Sequence, residues 1–545
     1  MDARTGRDVN ARPVAPEPPT LRRAVQGALL ANPAYTLLLM GRGPDRLVCV
    51  PPDPWPGDAA RGRAILARPV GFPGEDRQPG ETRLLLGHDF AWLRDLRAVG
   101  DAPAVERARQ LLRRWLARFG GYDAAAWSAP VAAARLTHWL ALYPFLDVGA
   151  DDSLQTLLLK SLGRHARHLG HVAGGGPADA RRLLAVKGLI YAGACLPGGS
   201  RRLARGLRLL AREIDRQVLP DGGHIERSPA QHLAVLGDLV DIRATLAEAR
   251  CEVPAVLQNA IDRLAPMLRV YRHGDGGLAV FNESGESDSG FIDQLLAAAG
   301  ANGRAPARAP HLGMQRLAAG DVVVIADAGV PPPPGVDALA HAGTLAFEMS
   351  DGADRLVVNC GADPQHASAL DDWRWRASAR ATAAHSTLVV DDTNSSQVLR
   401  RGGLGARVGT VTCRREEQDG TIIVDMSHDG YAARFHLIHR RRLFLAAAGD
   451  DLRGEDVLTG TGGARFAIRF HLHPAVKANR LRSGAAVTLA LPSGRRWRFH
   501  AAGGALEVEE SVYFGAGSVQ ETRQIVVSGR LDGEGALVKW AIRKL

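Results

Sequence analysis

The spacing of hydrophobic positions changes near residue 300 and divides the chain into two parts. Before that point apolar side chains recur three or four residues apart, as Leu111, Leu112, Trp115 and Leu116 do, which is the spacing of one helix face. Helices are predicted over residues 91–96, 104–119, 131–145, 153–172, 178–195, 201–219, 228–249, 254–271 and 290–299. Because no repeat period is shared among them, an α/α toroid is favoured over a solenoid.

Beyond a linker at residues 301–310, the pattern alternates with a period of two in short β-branched runs, which is typical of an antiparallel β-sandwich. Strands are predicted over residues 322–325, 355–358, 386–390, 421–424, 440–445, 466–472, 486–491 and 524–527. The predicted fold class is therefore a multidomain α-then-β protein, with an incomplete helical barrel followed by a sandwich. The predicted boundaries are a disordered tail and Pro/Gly-rich segment at 1–80, the toroid at 81–300 and the sandwich at 311–545.

Length and composition fit this division. A chain of 545 residues is too long for one hydrophobic core, and 46% hydrophobic with 23% charged residues is ordinary for a folded protein. No run approaches the roughly 20 apolar residues of a transmembrane helix, and the polar, proline-rich start offers no signal peptide. Five scattered cysteines without CxxC spacing argue against a disulfide framework and fit a reducing compartment. A cytoplasmic location is therefore expected from the sequence.

The net charge of +10 favours polyanionic partners, which include nucleic acid, anionic lipid and acidic polysaccharide. A GC-rich genome also produces an Arg-dominated, Ala- and Gly-rich chain without any selection for binding. No RNA-binding, zinc-finger or basic-zipper pattern is present, so nucleic acid is not an expected partner.

The strongest local signal is the block Asp221–His232, where two glycines lead into a cluster of ionisable groups. Ser228 and Pro229 predict a helix start, with Ser228 as N-cap, so the preceding side chains lie where they could face a ligand. The alternative is a capped turn whose charges are solvated or paired. The candidates are His224, Glu226, Arg227, Gln231 and His232.

A second cluster lies in the β part. His341 at a strand start, Asn359 at the end of the next strand and His385 could converge as metal ligands or as a base with its orienting partner. Alternatively, each histidine is a satisfied core or loop residue. Trp373, Arg376 and Arg380 belong to a Trp- and Arg-rich stretch that suits sugar stacking and carboxylate pairing, or forms a cation–π surface strip.

Taken in order, several blocks resemble the heparinase II/III family of polysaccharide lyases. They are AWLRDL, DGGHIERSPAQH, GDGGLAVFNES, AHAGTLAFEMSDG with LVVNCG, ARATAAHSTLVVDD and FAIRFHLHP. The resemblance implies a toroid followed by a sandwich, with the substrate between the domains. It also implies β-elimination of heparin-like or other uronic-acid-containing glycans, and a cell-envelope or periplasmic setting.

β-Elimination needs a group that neutralises the uronate carboxylate, a base for the C5 proton and an acid for the leaving oxygen. By the resemblance, His224 takes the neutralising position with Glu226 as its orienting partner, and His341 and His385 line the cleft or hold a metal. Tyr271 is placed as the acid/base tyrosine on spacing alone. The expected substrate contacts are Arg227, Gln231, His232, Asn282, Trp373, Arg376 and Arg380.

The chain departs from the family pattern at four positions. Leu339 and Gly343 stand where relatives carry the outer residues of HxHxD, Asn359 replaces an acidic metal ligand, and Gln231 replaces a tyrosine. No cofactor is therefore required, although Zn²⁺ or Ca²⁺ at His341, Asn359 and His385 stays possible because an amide oxygen can ligate.

Three functions follow. The first is a lyase acting on acidic polysaccharides. The second is a non-catalytic acidic-glycan-binding or envelope-assembly protein that has lost part of the lyase site. The third, a glycoside hydrolase, needs two carboxylates about 5–10 Å apart. Asp221 with Glu226 is the obvious local pair for it.

Overall fold

A computed structural model describes residues 35–75, 83–147, 151–362, 373–482 and 484–545. The helices are α1 (Tyr35–Leu38), α2 (Ala59–Ala67), α3 (Leu93–Val99), α4 (Ala102–Phe119), α5 (Ala129–Ala141), α6 (Tyr143–Asp147), α7 (Asp152–Val172), α8 (Ala180–Cys195), α9 (Ser200–Gln217), α10 (Pro229–Glu248), α11 (Ala255–Leu268), α12 (Ser289–Ala298), α13 (Trp373–Ala379) and α14 (Ala432–Phe435). The helical part thus ends at Ala298, in agreement with the predicted fold class.

Capping side chains fix where several of these helices begin. Asp101, Asp151, Asp179 and Asp288 each accept a hydrogen bond from a backbone N–H of the first turn of α4, α7, α8 and α12. The apolar faces of the helices then meet in one core, which contains the buried indoles of tryptophans such as Trp115. No helix in the described residues is long and apolar enough to cross a membrane.

The N-terminal segment corrects one expectation. Residues 1–80 were expected to hold a tail, loops and short strands, but Asp58 caps α2, and Trp55 and Ile65 are buried in the helical core. The reason is local, since nine residues between Pro/Gly-rich flanks are enough for two turns when a capping Asp precedes them. The expected tail at residues 1–19 lies outside the described residues.

The β part is a sandwich of two antiparallel sheets. The strands are β1 (Val70–Gly71), β2 (Leu84–Leu85), β3 (Arg308–Ala309), β4 (Met314–Ala319), β5 (Val322–Asp327), β6 (Phe347–Asp351), β7 (Asp354–Val358), β8 (Leu388–Val390), β9 (Val411–Gln418), β10 (Thr421–Tyr431), β11 (Leu437–Leu445), β12 (Asp451–Gly460), β13 (Arg465–Leu472), β14 (Lys477–Arg480), β15 (Ala486–Ala490), β16 (Arg496–Ala502), β17 (Ala505–Tyr513), β18 (Gln520–Arg530) and β19 (Ala536–Lys544). One sheet has the order β14-β15-β16-β19-β12-β11-β10-β9, and the other β17-β18-β13-β7-β6-β5-β4-β3 with β8 beside β13. Strands β1 and β2 form a separate parallel pair among the early helices.

The two parts share apolar contacts. The sandwich has its own core, built from the inward residues of both sheets. Met314, Val323 and Ile325 of β4 and β5 instead pack into the helical core. The first strands of the sandwich therefore pack against the helical domain. The boundary between the two domains, along which their loops meet, is called the seam below.

Candidate functional site

The block around His224 forms the predicted helix start. The Ser228 hydroxyl accepts a hydrogen bond from the Gln231 N–H at 3.4 Å, and Pro229 occupies the first turn of α10. Gly222 has a φ of +88° and lies so close to the Arg263 carbonyl that any side chain would collide with it. The turn is therefore built for close packing against α11.

His224 is fully buried beneath this turn. Its Nε2 donates to the Gln217 carboxamide oxygen at 3.2 Å, while its Nδ1 has no hydrogen-bond partner among the described residues. Burial, with a smaller contribution from His232, lowers the pKa of His224 to about 3. A neutral ring without contact to solvent does not touch a polysaccharide unless the turn rearranges.

Glu226 serves the fold at the N-terminus of α8. Its carboxylate accepts the Ala180 N–H at 2.8 Å and lies 4.0 Å from the His224 ring. Burial and the nearby Asp179 raise the pKa of Glu226 to about 7, against the opposing effects of the Ala180 N–H and Arg181. The expected orienting partner of His224 is thus chiefly a helix cap.

Arg227 ties the two domains together. Its guanidinium donates to the Leu312 and Val330 carbonyls at 2.7 and 2.9 Å and forms an ion pair with Asp327. The side chain is buried, and its backbone adopts a φ of +53°. The donors of Arg227, which was predicted to contact substrate, are used within the protein.

His232 and Tyr271 lie in the helical core. The His232 Nε2 donates to the Leu264 carbonyl at 2.8 Å, and its ring meets Tyr271 edge-on at 5.8 Å. The Tyr271 hydroxyl is fully buried without a hydrogen-bond partner, and burial raises the pKa of Tyr271 well above its usual range. An acid/base role for Tyr271 finds no support in this geometry. Gln231 is half-buried on the first turn of α10.

A second group converges at the seam between the domains. His341 was predicted at a strand start, but it lies in the loop before β6, six residues ahead of Phe347, where the strand begins. Its Nδ1 is 3.1 Å from the Nε2 of His385, and its backbone N–H donates to the Asn282 side chain at 2.9 Å. Glu283 approaches from the helical domain, with its N–H 2.9 Å from the His341 Nε2.

The partners of the two rings occupy all four of their ring nitrogens. The His385 Nδ1 donates to the Ala381 carbonyl at 2.7 Å, so in the neutral ring its Nε2 accepts from the His341 Nδ1–H. The His341 Nε2 lies 2.9 Å from the N–H of Glu283 and 3.3 Å from its carboxylate, so Glu283 occupies this nitrogen in either protonation state. Burial lowers the pKa of both histidines, so the neutral forms prevail and each of their ring nitrogens is already used. Neither ring offers a free lone pair to a substrate proton.

Gly343 makes this pairing possible. A Cβ at residue 343 would lie 2.6 Å from the Cδ2 of His385. The His385 ring therefore occupies the space that a side chain at this position would need. The departure at Gly343 noted in the sequence thus has a direct structural counterpart.

Glu283 also faces one partly exposed cation. Arg376 lies 3.7 Å from its carboxylate, and half of the Arg376 side chain is exposed. Burial opposes ionisation, but the hydrogen bond and charge of His341, with Arg376 and Arg380, lower the pKa of Glu283. Arg376 remains placed to meet an anion at the seam. The side chain of Trp373 lies outside the described residues.

Arg380 is a structural residue. Its guanidinium donates to the carbonyls of Ala340, Leu399 and Gly403 at 2.9, 3.3 and 2.8 Å, and the side chain is buried. These bonds hold the His341 loop against residues 399–403. The predicted substrate contact of Arg380 therefore stays a prediction, as it does for Arg227. The Asn282 amide likewise bonds the Arg227 carbonyl at 2.9 Å and braces the loop.

A cavity of about 370 Å³ opens among the inner helices of the helical domain. Lys187 lies in its wall, 2.8 Å from Asp238 and 2.6 Å from Asp241. The two carboxylates keep the pKa of Lys187 above its usual range despite the opposing effect of burial. The aromatic side chains in the wall are Trp55, Tyr191 and Phe291. Aromatic faces beside fixed polar groups suit a sugar ring.

Comparisons with known proteins match the whole arrangement. Residues 118–299 match the description heparinase II/III N-terminus, and residues 301–541 match heparinase II/III-like, C-terminal. The chain is 32% identical to the FtsZ-localized protein C of Caulobacter vibrioides over an alignment of 534 residues. The alignment covers 92% of this chain and 91% of that protein. The chain belongs to the heparinase II/III family.

Solved structures of this family share the fold. A crystal structure of heparinase III superposes with a TM-score of 0.69 at 14% identity, covering 96% of this chain and 89% of that one. A heparan sulfate lyase from Pedobacter heparinus gives 0.59 at 16% identity, covering 95% and 88%. The α/α toroid and β-sandwich architecture is therefore established for this chain.

The metal suggested by the family resemblance does not fit the residues present. His341 and His385 use their ring nitrogens within the protein, and the Asn359 side chain bonds Glu348 at 2.8 Å and the Ser386 N–H at 3.0 Å. Across the described ranges, no group of three or more His, Cys, Asp or Glu side chains is placed to hold a metal ion. Zn²⁺ or Ca²⁺ at these three residues is therefore unsupported.

Three residues of these sites were not predicted from the sequence, namely Glu283 at the seam and the pair Lys187 and Asp238 in the cavity wall. Glu283 stands in the quoted FNES block beside Asn282, and its φ of +58° follows a φ of +45° at Asn282, a strained pair that sequence does not reveal. Lys187 and Asp238 lie on separate helices, so only their packing brings them together. A buried Lys in an otherwise apolar helix was the available signal for this pair.

Proposed function

We propose that this chain is a non-catalytic member of the heparinase II/III family that binds an acidic glycan and acts in envelope assembly. The observation that carries the proposal is the closed hydrogen-bond chain from Glu283 through His341 and His385 to Ala381. It leaves no unoccupied nitrogen of His341 or His385 for the C5 proton. The burial of His224 and Tyr271 in the helical core points the same way.

Glycan binding is supported by what the fold retains. The cavity beside Trp55 and Lys187 has aromatic walls and nearly balanced charge, which suits sugar hydroxyls. Arg376 at the seam lies beside Glu283 but is half exposed, so it can also meet a carboxylate of a ligand, and the chain as a whole carries a charge of +10. An acidic polysaccharide is the ligand that combines these features.

The place of action in the proposal comes from a relative. A protein named for its localisation with FtsZ is 32% identical over nearly the whole chain. We extend that localisation to this chain. A fluorescent fusion should co-localise with FtsZ in the cell, and a diffuse signal throughout the cell cycle would contradict this part of the proposal.

The main test separates binding from elimination. Purified protein is titrated with heparin, heparan sulfate, chondroitin and alginate by calorimetry, and the ultraviolet absorbance of the C4–C5 double bond is followed in parallel. We expect binding to at least one polymer and a flat absorbance trace. Absence of binding to every polymer would overturn the proposal.

The second candidate, a lyase, is favoured by the fold shared with heparinase III. It predicts a rise in absorbance that disappears in the His341→Ala variant and persists in an Arg442→Ala variant on the outer sheet face. That pair of results would replace the non-catalytic proposal with β-elimination.

A further inference from the structure

Two cysteines that are far apart in the sequence meet in the helical domain. Cys49 lies in the segment before α2, and Cys195 is the last residue of α8, 146 positions later. Their sulfur atoms are 3.6 Å apart, and the Val48 N–H donates to the Cys195 carbonyl at 2.8 Å. Bonded sulfurs are about 2.0 Å apart, so each sulfur needs to move by roughly 0.8 Å to form a disulfide.

The two thiols differ in their surroundings. Cys49 is half-buried and within reach of solvent, whereas Cys195 is buried in the helical core. The contact with Cys195 lowers the pKa of the Cys49 thiol, against the opposing effects of burial and of Glu248. The same contact, together with burial, raises the pKa of Cys195, so the Cys195 S–H keeps its proton and can bond a Cys49 thiolate. An accessible sulfur of lowered pKa beside a second thiol is typical of redox-sensitive pairs.

The other three cysteines have different surroundings. Cys360 and Cys413 lie in the β part, where Cys360 is buried and Cys413 is exposed on β9. Burial raises the pKa of the Cys360 thiol to about 12. Cys251 is close enough to contribute to the raised pKa of Cys195, but its own sulfur donates to the Ala249 carbonyl at 3.6 Å. Cys251 is therefore the competing partner that an experiment has to separate from Cys49.

We infer that Cys49 and Cys195 form a reversible disulfide when the chain meets a low-molecular-weight disulfide such as oxidised glutathione. The Cys49 thiolate attacks one sulfur of the oxidant, which forms a mixed disulfide and releases one glutathione thiolate that takes up a proton. Cys195 then loses its proton and attacks the Cys49 sulfur, which forms the intramolecular bond and releases the second glutathione. The two protein thiols are oxidised, and the glutathione disulfide is reduced to two thiols.

The bond acts beside the cavity of the helical domain. The segment that follows Cys49 contributes Asp53 and Trp55 to the cavity wall, and Tyr191, one turn before Cys195 on α8, lines the same cavity. Oxidation therefore joins this part of the wall to α8 by a covalent bond. The closed loop spans 146 positions and restricts the unfolded chain, so oxidation should raise the midpoint of thermal unfolding, and dithiothreitol should reverse the rise.

The test uses the full chain with Cys413→Ser, because the exposed thiol of Cys413 would react on its own. This change leaves four of the five cysteines. Reduced protein is incubated with oxidised glutathione at pH 8, unfolded, and its thiols are titrated. We expect a loss of two thiols of the four, and a digest made without reductant should contain a peptide pair linked through Cys49 and Cys195.

Three variants in the same background separate the two steps. Cys195→Ala should stop after the first step and keep one glutathione on Cys49, as measured by intact mass, and Cys49→Ser should keep its Cys195 thiol. Cys251→Ser is the matched control and should still lose two thiols. Circular dichroism checks that every variant is folded. Retention of all four thiols in the Cys413→Ser chain overturns the inference, as does a link between Cys195 and Cys251 or an equal thiol loss in Cys49→Ser.

Discussion

Replacing Glu226 by Gln should remove a pH-dependent weakness of the helical domain. The pKa of Glu226 is raised from 4.5 to about 7 in the folded protein, chiefly by burial. The folded state therefore holds this proton more tightly than the unfolded state, so the stabilisation is complete below pH 4.5. It is lost as pH rises through about 7, where the buried carboxylate must ionise.

The magnitude follows from the same numbers. A rise from 4.5 to about 7 corresponds to about 3 kcal/mol, of which about 2–3 kcal/mol falls between pH 5 and pH 8. The amide of the Glu226→Gln variant keeps an oxygen for the Ala180 N–H and does not titrate. The variant should therefore gain stability relative to wild type by that amount between the two pH values.

Urea unfolding followed by circular dichroism at pH 5 and pH 8 measures this difference. Glu106→Gln makes the same change at an exposed position of α4, and its offset from wild type should not vary with pH. If Glu226→Gln also differs from wild type equally at both pH values, the buried carboxyl does not carry the raised pKa, and the reasoning fails.

Three further substitutions test the seam and the core. Arg227→Ala leaves Asp327 buried without its cation and should lower the free energy of unfolding, measured by urea titration, by about 3–5 kcal/mol. In protein that already carries Asp327→Ala, the same substitution should lower it much less. Gly343→Ala places a Cβ against His385 and should cost about 1–3 kcal/mol, with a shift of the His385 ring resonances by NMR. Tyr271→Phe removes an unpartnered hydroxyl, so thermal unfolding should show unchanged or slightly higher stability, and a marked loss would reveal a missing partner.

Much of the fold could be predicted from the sequence because the strongest hydrophobic patterns are long and periodic. The predicted helices and the eight predicted strands correspond to elements of the structure, with ends that differ by a few residues. Several strands were not predicted, among them β4, β12, β14, β16, β17 and β19. Strand β9 was also missed, because VTCRREEQ lies at a sheet edge and shows no apolar alternation. Helix α2 was hidden by its Pro- and Gly-rich flanks.

The candidate site was predicted less well, for a physical reason. Motif residues such as His224 and Arg227 were found by their chemistry, but sequence does not distinguish a side chain facing a cleft from one that caps a helix or joins domains. Tyr271 illustrates this, since correct spacing leads to a hydroxyl sealed in the core. The role predicted for His224 from the resemblance and the role predicted for Tyr271 from spacing stay predictions, while His341 and His385 do come together.

The apolar contact between β4, β5 and the helices has a consequence for cooperativity. Met314, Val323 and Ile325 belong to the sandwich by sequence but to the helical core by packing. A chain cut at residue 300 would expose them on one fragment and leave a matching hollow on the other. The two domains should accordingly melt in a single calorimetric transition, and two resolved peaks would show that each folds alone. The seam between the domains is then a rigid junction and not a hinge. Its geometry is set before any ligand binds.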